Sequence, residues 1–253
     1  MNLTFKNIYS LDYTMTLNLI GLGLSTKSIS AQALETTKSS DKIYLEEYTV
    51  DFPYNIKELK KQIKKKITPL NREQIESEEI LKQAKKQNIS LLIYGDSLSA
   101  TTHIQLIISA KKQKIPYKII HSESILTAIA ESGLQLYKFG KTTSLPKFQK
   151  NFKPNSWVDI IIKNQKIKAH TLILTDIGLT SKQAIEQLEQ TSKKRKIKLD
   201  KIIICSQLGH DSKIYYDKLE KLKDRKIKQP FCIIIPSDFH FIEEETLNIL
   251  KEK

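Results

Sequence analysis

Residues 17–24 read LNLIGLGL, a short apolar run, Leu17–Leu22, punctuated by Gly21 and Gly23. A run of this length suits a buried strand. Glycine directly after a strand allows a tight turn or a close approach of backbone to a ligand. The dinucleotide fingerprint would need a third glycine at position 26, where the chain has Thr26. A Rossmann NAD site is therefore disfavoured. GxG alone leaves a structural turn and a binding loop equally open.

Outward from this run, periodicity predicts a helix over Ile29–Thr37, with Ala33 and Leu34 facing in, and a strand over Lys42–Glu46. Ile56, Leu59, Ile63 and Ile67 recur at helical spacing and predict one helix over Ile56–Ile67. Asn71 with Gln74 resembles a capping box for a helix over Gln74–Gln87. Ser90–Tyr94 reads as a strand stopped by Gly95-Asp96, Thr101–Lys112 as a helix, Tyr117–His121 as a strand and Ile125–Glu131 as a helix. Such alternation predicts a mostly parallel sheet covered by helices.

The alternation pauses over Ser132–Pro154, where Gly133, Gly140, Pro146 and Pro154 stand. A second unit follows. Trp157–Lys163 reads as a helix, Thr171–Thr175 as a strand, and Thr180 with Gln183 as a capping box opening a helix to about Lys194. Lys201–Ser206 and Phe231–Ile235 read as strands, and Phe239–Leu250 as a closing helix; Ile214–Leu222 suits either strand or helix. The expected organisation is α/β throughout: an N-terminal extension over 1–14, an α/β domain over 15–132, an interdomain region over 133–154 and a second α/β domain over 155–253.

A net charge of +14 raises the question of nucleic acid. Arginine, the residue suited to bidentate phosphate and base contacts, occurs only at Arg72, Arg195 and Arg225. The lysines are spread along the whole chain, which fits a solvated surface; help in binding an acidic macromolecule stays open. Cys205 and Cys232 each sit inside an apolar run, as buried structural thiols do, and fit a reducing cytosol. No apolar stretch reaches the about 18 residues of a membrane span, and the N-terminus lacks the apolar core of a signal peptide.

Chemistry-bearing residues gather at predicted strand ends, where open α/β sheets bind ligands. Gly95-Asp96-Ser97-Leu98 follows one strand; Asp96 could accept from an amine or a ribose hydroxyl, or cap the next helix. His121-Ser122-Glu123-Ser124-Ile125 follows another, with Ser124 a possible N-cap, and Asp176 ends a third. The histidines His103, His121, His170, His210 and His240 show no metal-ligand spacing, and no metal is expected. Neither GxSxG nor a P-loop is present.

Together, five segments carry a resemblance. They are Ile20–Leu24 (IGLGL), Gly95–His103 (GDSLSATTH), His121–Ile125 (HSESI), Tyr137–Lys141 (YKFGK) and His170–Ile177 (HTLILTDI). In order and separation they resemble the diphthine synthases, a branch of the tetrapyrrole-methylase-like class of S-adenosylmethionine (SAM) enzymes. ATTH and YKFGK are the more specific pieces. The resemblance implies two α/β domains with a SAM pocket in the cleft between them. By position it implies a lining of Leu24, Asp96, Ser99, Ser124, Ile125 and Thr175, with Leu208 and Phe231 from the second domain.

Two departures stand out. Tyr94 and Ser97 replace the prolines of the family's Pro-Gly-Asp-Pro, and Ser122-Glu123 replaces Ala-Pro, adding a charge near the pocket. The resemblance further implies a cytoplasmic homodimer. Its substrate would be a 3-amino-3-carboxypropyl-histidine of translation elongation factor 2, methylated repeatedly on the amine. Nucleic acid would not be required. His103, His121 and Asp96 are the candidate proton acceptors, and no catalytic residue is assigned. Two rivals stay open: a methylase of the same fold acting on ribosomal RNA or a porphyrin precursor, and a non-catalytic basic RNA-binding module. Tight SAM binding would exclude the second, whereas steeply salt-dependent RNA binding would support it.

Overall fold

Why LNLIGLGL forms a central strand is visible in what its residues touch. In a computed structural model describing residues 15–77 and 79–252, β1 (Leu17–Gly21) is wholly buried. Leu17 and Leu19 pack on one face with Leu91, Ile93, Leu106 and Ile107. Ile20 packs on the other with Leu45, Leu59, Ile63 and Leu92. A strand covered on both faces reads as a continuous apolar run rather than an alternation. The expected extension over 1–14 lies outside the described residues.

The first half runs β1, α1 (Ala31–Ser39), β2 (Lys42–Glu46), α2 (Ile56–Ile63), β3 (Ile67–Leu70), α3 (Arg72–Glu76), α4 (Glu79–Ala84), β4 (Ile89–Ile93), α5 (Ile104–Lys112), β5 (Tyr117–Ile120) and α6 (Ile125–Ala128). Its strands are ordered β3-β2-β4-β1-β5, and every pairing is parallel. All five C-terminal ends therefore lie along one edge. The glycine-containing loops after β4 and β1 and the HSE loop after β5 become immediate neighbours there.

Three expectations for this half need correction. The helix expected over Ile56–Ile67 ends at Ile63. Lys64 then takes a left-handed turn (φ 57°), and Ile67 opens edge strand β3. Ile67 stands four residues after Ile63, so it fits helical spacing while serving a strand. The helix expected over Gln74–Gln87 is two short ones: the Asn71–Gln74 capping box is present but caps α3. The helix expected from Thr101 begins at Ile104, after a loop in which Ala100 is left-handed (φ 58°).

The second half follows two short 3-10 turns, Ile129–Ser132 and Leu136–Lys138. It contains β6 (Thr143–Leu145), α7 (Ser156–Lys166), β7 (Thr171–Thr175), α8 (Ser181–Arg195), β8 (Lys201–Ser206), β9 (Lys213–Lys218), α9 (Leu219–Leu222), β10 (Phe231–Ile235) and α10 (Phe241–Leu250). The strand order is β6-β7-β10-β8-β9. The mostly parallel arrangement expected from the first alternation holds in the first sheet, whereas this second sheet is mixed. Only β6 and β7 pair in parallel; β7-β10, β10-β8 and β8-β9 are antiparallel. The short connection 207–212 can return the chain only as an antiparallel neighbour of β8. The ambiguous stretch Ile214–Leu222 turns out to be both things in succession, strand β9 then helix α9. Strand β6 falls inside the 133–154 stretch and supplies an edge of this sheet.

Trp157, Ile161, Ile185 and Leu188 cover one face of the second sheet; Ile129, Leu134 and Leu247 cover the other. Helix α8 opens as its sequence predicts. Thr180 Oγ1 accepts from Gln183 N at 3.3 Å, and Gln183 Oε1 accepts from Thr180 N at 3.1 Å. Thr180→Ala should cost about 1 kcal/mol of stability, read as a shift in the urea midpoint with unchanged slope. No helix among the described residues is long and apolar enough to cross a membrane.

Candidate active site

The strand-end loops of the two sheets face one another across a cavity of about 510 Å³. Parallel order brings the loops after β1, β4 and β5 to one wall. On the other side, the C-terminal ends of β6, β7 and β8 meet the start of antiparallel β10. Phe231 sits opposite Ser206, Cys232 opposite Leu174, and Leu145 opposite Thr175. All eight expected site residues line this space: Leu24, Asp96, Ser99, Ser124, Ile125, Thr175, Leu208 and Phe231.

Backbone-to-backbone bonding holds the first wall. Gly23 N donates to Gly95 O at 3.1 Å and Gly95 N to Gly23 O at 3.0 Å. Both glycines have positive φ, +73° and +72°. Gly21 is needed for a different reason: a Cβ there would stand 2.8 Å from Gly95 O. GxG is thus a joint between two loops, and the structure shows a close approach that the sequence left open.

Asp96 is the hub of this wall. Its Oδ1 accepts from Leu98 N (3.0 Å), Ser99 N (3.1 Å) and Ser99 Oγ (3.1 Å), and its Oδ2 from Ser122 N (3.1 Å) and His121 Nδ1 (2.8 Å). Burial raises its pKa, but donation from Leu98 N, His121, Ser122 N and Ser99 outweighs this and holds the carboxyl below its usual range. Asp96 therefore organises three strand-end loops around one permanent negative charge.

The departures from the family pattern are absorbed locally. Tyr94 donates to Leu24 O (3.2 Å) and packs against the Phe52 and Tyr54 rings at 5.3 and 6.3 Å. Glu123 Oε1 accepts from Leu24 N at 2.9 Å and from the Ser28 hydroxyl. The charge expected near the pocket is there, and it pins Leu24 in place.

The remaining hydroxyls of the lining are also ordered. Thr175 Oγ1 donates to Phe231 O (2.6 Å), and Ser124 Oγ accepts from Leu126 N (3.2 Å) as the N-cap of α6. Cys205 and Cys232 are buried free thiols on the same lining. Their mutual hydrogen bond and their burial push the Cys205 thiol well up, so it is inert at neutral pH.

Neither candidate imidazole reaches the lining. His121 is 67% exposed and bonded outward to Asp96. His103 is buried behind the wall, with Nδ1 3.3 Å from Ser97 O and Nε2 3.7 Å from Glu46 Oε2. Burial lowers the His103 pKa and raises that of Glu46, so in both residues it works against the charged form.

The sequence reading missed a whole end of the cavity: Tyr48, Thr49, Val50, Asp51 and Arg72. These follow β2 and β3. With Ile67 assigned to a helix, Arg72 did not stand after a strand. Recognising ITPL as an edge strand would have found it, since proline is tolerated there. Asp51 Oδ2 accepts from Gly178 N at 3.2 Å, a bond from the first half of the chain to the second beside the lining. YKFGK, by contrast, lies away from the cavity and joins elements: Lys138 pairs with buried Glu243, Phe139 packs on His170, and a Cβ at Gly140 would meet Asn164 Oδ1 at 2.3 Å.

Comparison with known proteins agrees with this geometry. The sequence profile of the Tetrapyrrole (Corrin/Porphyrin) Methylases matches residues 16–223. A diphthine methyl ester synthase of Dictyostelium discoideum is 37% identical, over 94% of this chain and 99% of its own. A diphthine synthase of Methanococcus maripaludis is 35% identical, over 92% and 98%. A crystal structure of diphthine synthase superposes with a TM-score of 0.85 at 29% identity, over 93% of this chain and 96% of that one. The chain belongs to the tetrapyrrole methylase family, within its diphthine synthase branch, and is a methyltransferase.

Proposed function

We propose that this enzyme binds SAM in the cavity between its two sheets. It repeatedly methylates the amine of 3-amino-3-carboxypropyl-histidine on translation elongation factor 2, giving diphthine. What supports this reading is the convergence of the eight expected lining residues on one cavity, in a chain whose relatives are diphthine synthases. The lining suits such a donor. Leu24, Ile125, Leu208 and Phe231 offer apolar surface, Ser99, Ser124 and Thr175 offer hydroxyls, and Asp96 supplies negative charge. The volume falls in the range of small-molecule sites, roughly 300–1,000 Å³.

When bound, SAM supplies an electrophilic methyl on a sulfonium. The protein's part is alignment and exclusion of water. Leu24, pinned by Glu123 and packed under Gly209 of the second half, fixes one wall; Phe231 and Thr175 fix the facing one. The acceptor amine must shed a proton before each transfer. Desolvation against Val50, Ile125 and Leu208 favours its neutral form. A homodimer in the cytoplasm is part of the same reading, with exposed Phe241 and Ile249 of α10 as apolar surface available for pairing.

Intact-mass spectrometry tests the proposal. Elongation factor 2 carrying the aminocarboxypropyl-histidine, incubated with the enzyme and SAM, should gain one methyl mass at a time. The unmodified protein should gain none. No gain in an enzyme shown to bind SAM would reject this acceptor and favour RNA or a small molecule. The final mass also distinguishes methylation of the amine alone from additional methylation of the carboxylate.

A further inference from the structure

In a chain carrying 42 lysines and arginines, the cavity lining contains, among the described residues, a single cation, Arg72, against three carboxylates, Asp51, Asp96 and Asp176. Arg72 opens α3, directly after edge strand β3. Strand order places β3 three positions from β1, about 14 Å away at the usual strand spacing. The residues argued to hold the donor follow β4, β1 and β5 or belong to the second sheet. Arg72 therefore stands at the opposite end of the same cavity, beside Tyr48 and Thr102.

Its side chain is preset and partly free. Nε donates to Glu76 Oε1 at 2.9 Å, and the guanidinium lies over the Tyr48 ring at 5.9 Å. Among the described residues no other hydrogen bond engages it, so both Nη groups are available as a fork. A planar fork of two N–H donors matches a carboxylate.

We propose that Arg72 binds the carboxylate of the aminocarboxypropyl acceptor and thereby presents its amine to the methyl donor. This rests on the reading of the site as a diphthine synthase. Both partners in the reaction carry an α-amino-carboxylate, because the donor has a methionyl moiety. The position of Arg72 at the β3 end assigns it to the acceptor. Asp176 is already engaged, by Lys147 N and Ile177 N, and Asp96 by its five donors. Arg72 is thus the specificity residue of the acceptor end.

The test compares wild type, Arg72→Lys and Arg72→Gln on modified elongation factor 2, with binding of S-adenosylhomocysteine measured by calorimetry in parallel. Arg72 is 63% exposed, so the variants should fold; melting curves check this. Arg72→Gln should raise the acceptor KM about 10- to 100-fold, in keeping with a lost charged hydrogen-bonded pair. Cofactor affinity should stay the same, and Arg72→Lys should fall between. On an acceptor whose carboxylate has been converted to a primary carboxamide, wild type and Arg72→Gln should become alike. An unchanged acceptor KM would overturn the assignment. A matching loss of cofactor affinity would also overturn it, by moving Arg72 to the donor. Wild type inactive on this acceptor would instead reject the reading of the site itself.

Discussion

Replacing Glu243 with alanine should destabilise the protein by about 3–5 kcal/mol, the range for breaking a buried charge cluster by removing one partner. Glu243 is fully buried on α10 and is met from three directions. It pairs with Lys138, accepts from Gln135 N (2.9 Å) and His240 N (2.8 Å), and lies 3.4 Å from His170 Nε2. His170 Nδ1 accepts from Ser237 N at 2.9 Å, so the neutral ring carries its proton on Nε2, toward Glu243. Alanine would leave the Gln135 and His240 amides and the His170 Nε2–H without this acceptor, and would leave Lys138 with the Asp238 carbonyl but no balancing carboxylate. Against a typical total stability of about 5–15 kcal/mol, this loss is large. Urea unfolding of the variant measures it; a loss under about 1 kcal/mol would refute the cluster as a stabilising element.

The same carboxyl gives a pH signature. Burial raises its pKa, yet Lys138 and the His240 and Gln135 amides outweigh that and hold it at about 2 instead of 4.5. A depressed carboxyl stabilises the fold above its unfolded pKa and loses that contribution as pH falls toward its folded one. The difference in unfolding free energy between wild type and Glu243→Gln should be steady above about pH 4.5 and shrink between there and about pH 2. A difference that grows on acidification would contradict the assignment.

Gly23→Ala should be the most damaging single change at the cavity. Gly23 has φ +73°, and a Cβ there would stand 2.3 Å from Ser28 Cβ. A left-handed alanine costs about 1–2 kcal/mol before any clash is counted. The clash is with a carbon fixed to its backbone, so the loop itself must move, and with it the paired bonds to Gly95. A displacement of about 1 Å in a positioning element can cost on the order of 100-fold in rate. Cofactor affinity should fall similarly, while Gly178→Ala, with nothing near its Cβ, should bind the cofactor normally despite its own positive φ. Equal affinities for wild type and Gly23→Ala would show that the Gly23–Gly95 joint does not shape the site.

How much of this was legible beforehand depends on local against non-local causes. Capping boxes at Asn71 and Thr180 were readable because partner and acceptor lie three residues apart. The β1, β4, β7, β8 and β10 strands were readable because burial on both faces leaves continuous apolar runs. Strand direction in the second sheet was not, because β10 pairs with β7 and β8 from far along the chain. Edge strands β3 and β6 were hidden for another reason: being short and half-covered, they need little apolar sequence. For the site, strand-end glycines and Asp96 marked one wall, and the resemblance supplied the lining residue by residue. The β2–β3 end stayed invisible because Arg72 was referred to no strand. Nor could sequence say that Asp96 serves five protein donors, or that Glu123 grips Leu24. Both depend on loops brought together by parallel strand order.

The position of β10 has a bearing on how the protein is made. The first sheet needs nothing beyond Ile120, so it can close while the ribosome is still elongating the chain. The second sheet has its middle strand at Phe231–Ile235, and the carboxylate that clamps residues 135 to 138 arrives later still, at Glu243. Until Phe231–Ile235 has emerged, β7 and β8 have no neighbour between them and expose two apolar edges. A nascent chain of this enzyme therefore stays half-built from β8 until β10 is made, and a message truncated ahead of Phe231 would yield an open, sticky second half in place of a shortened enzyme.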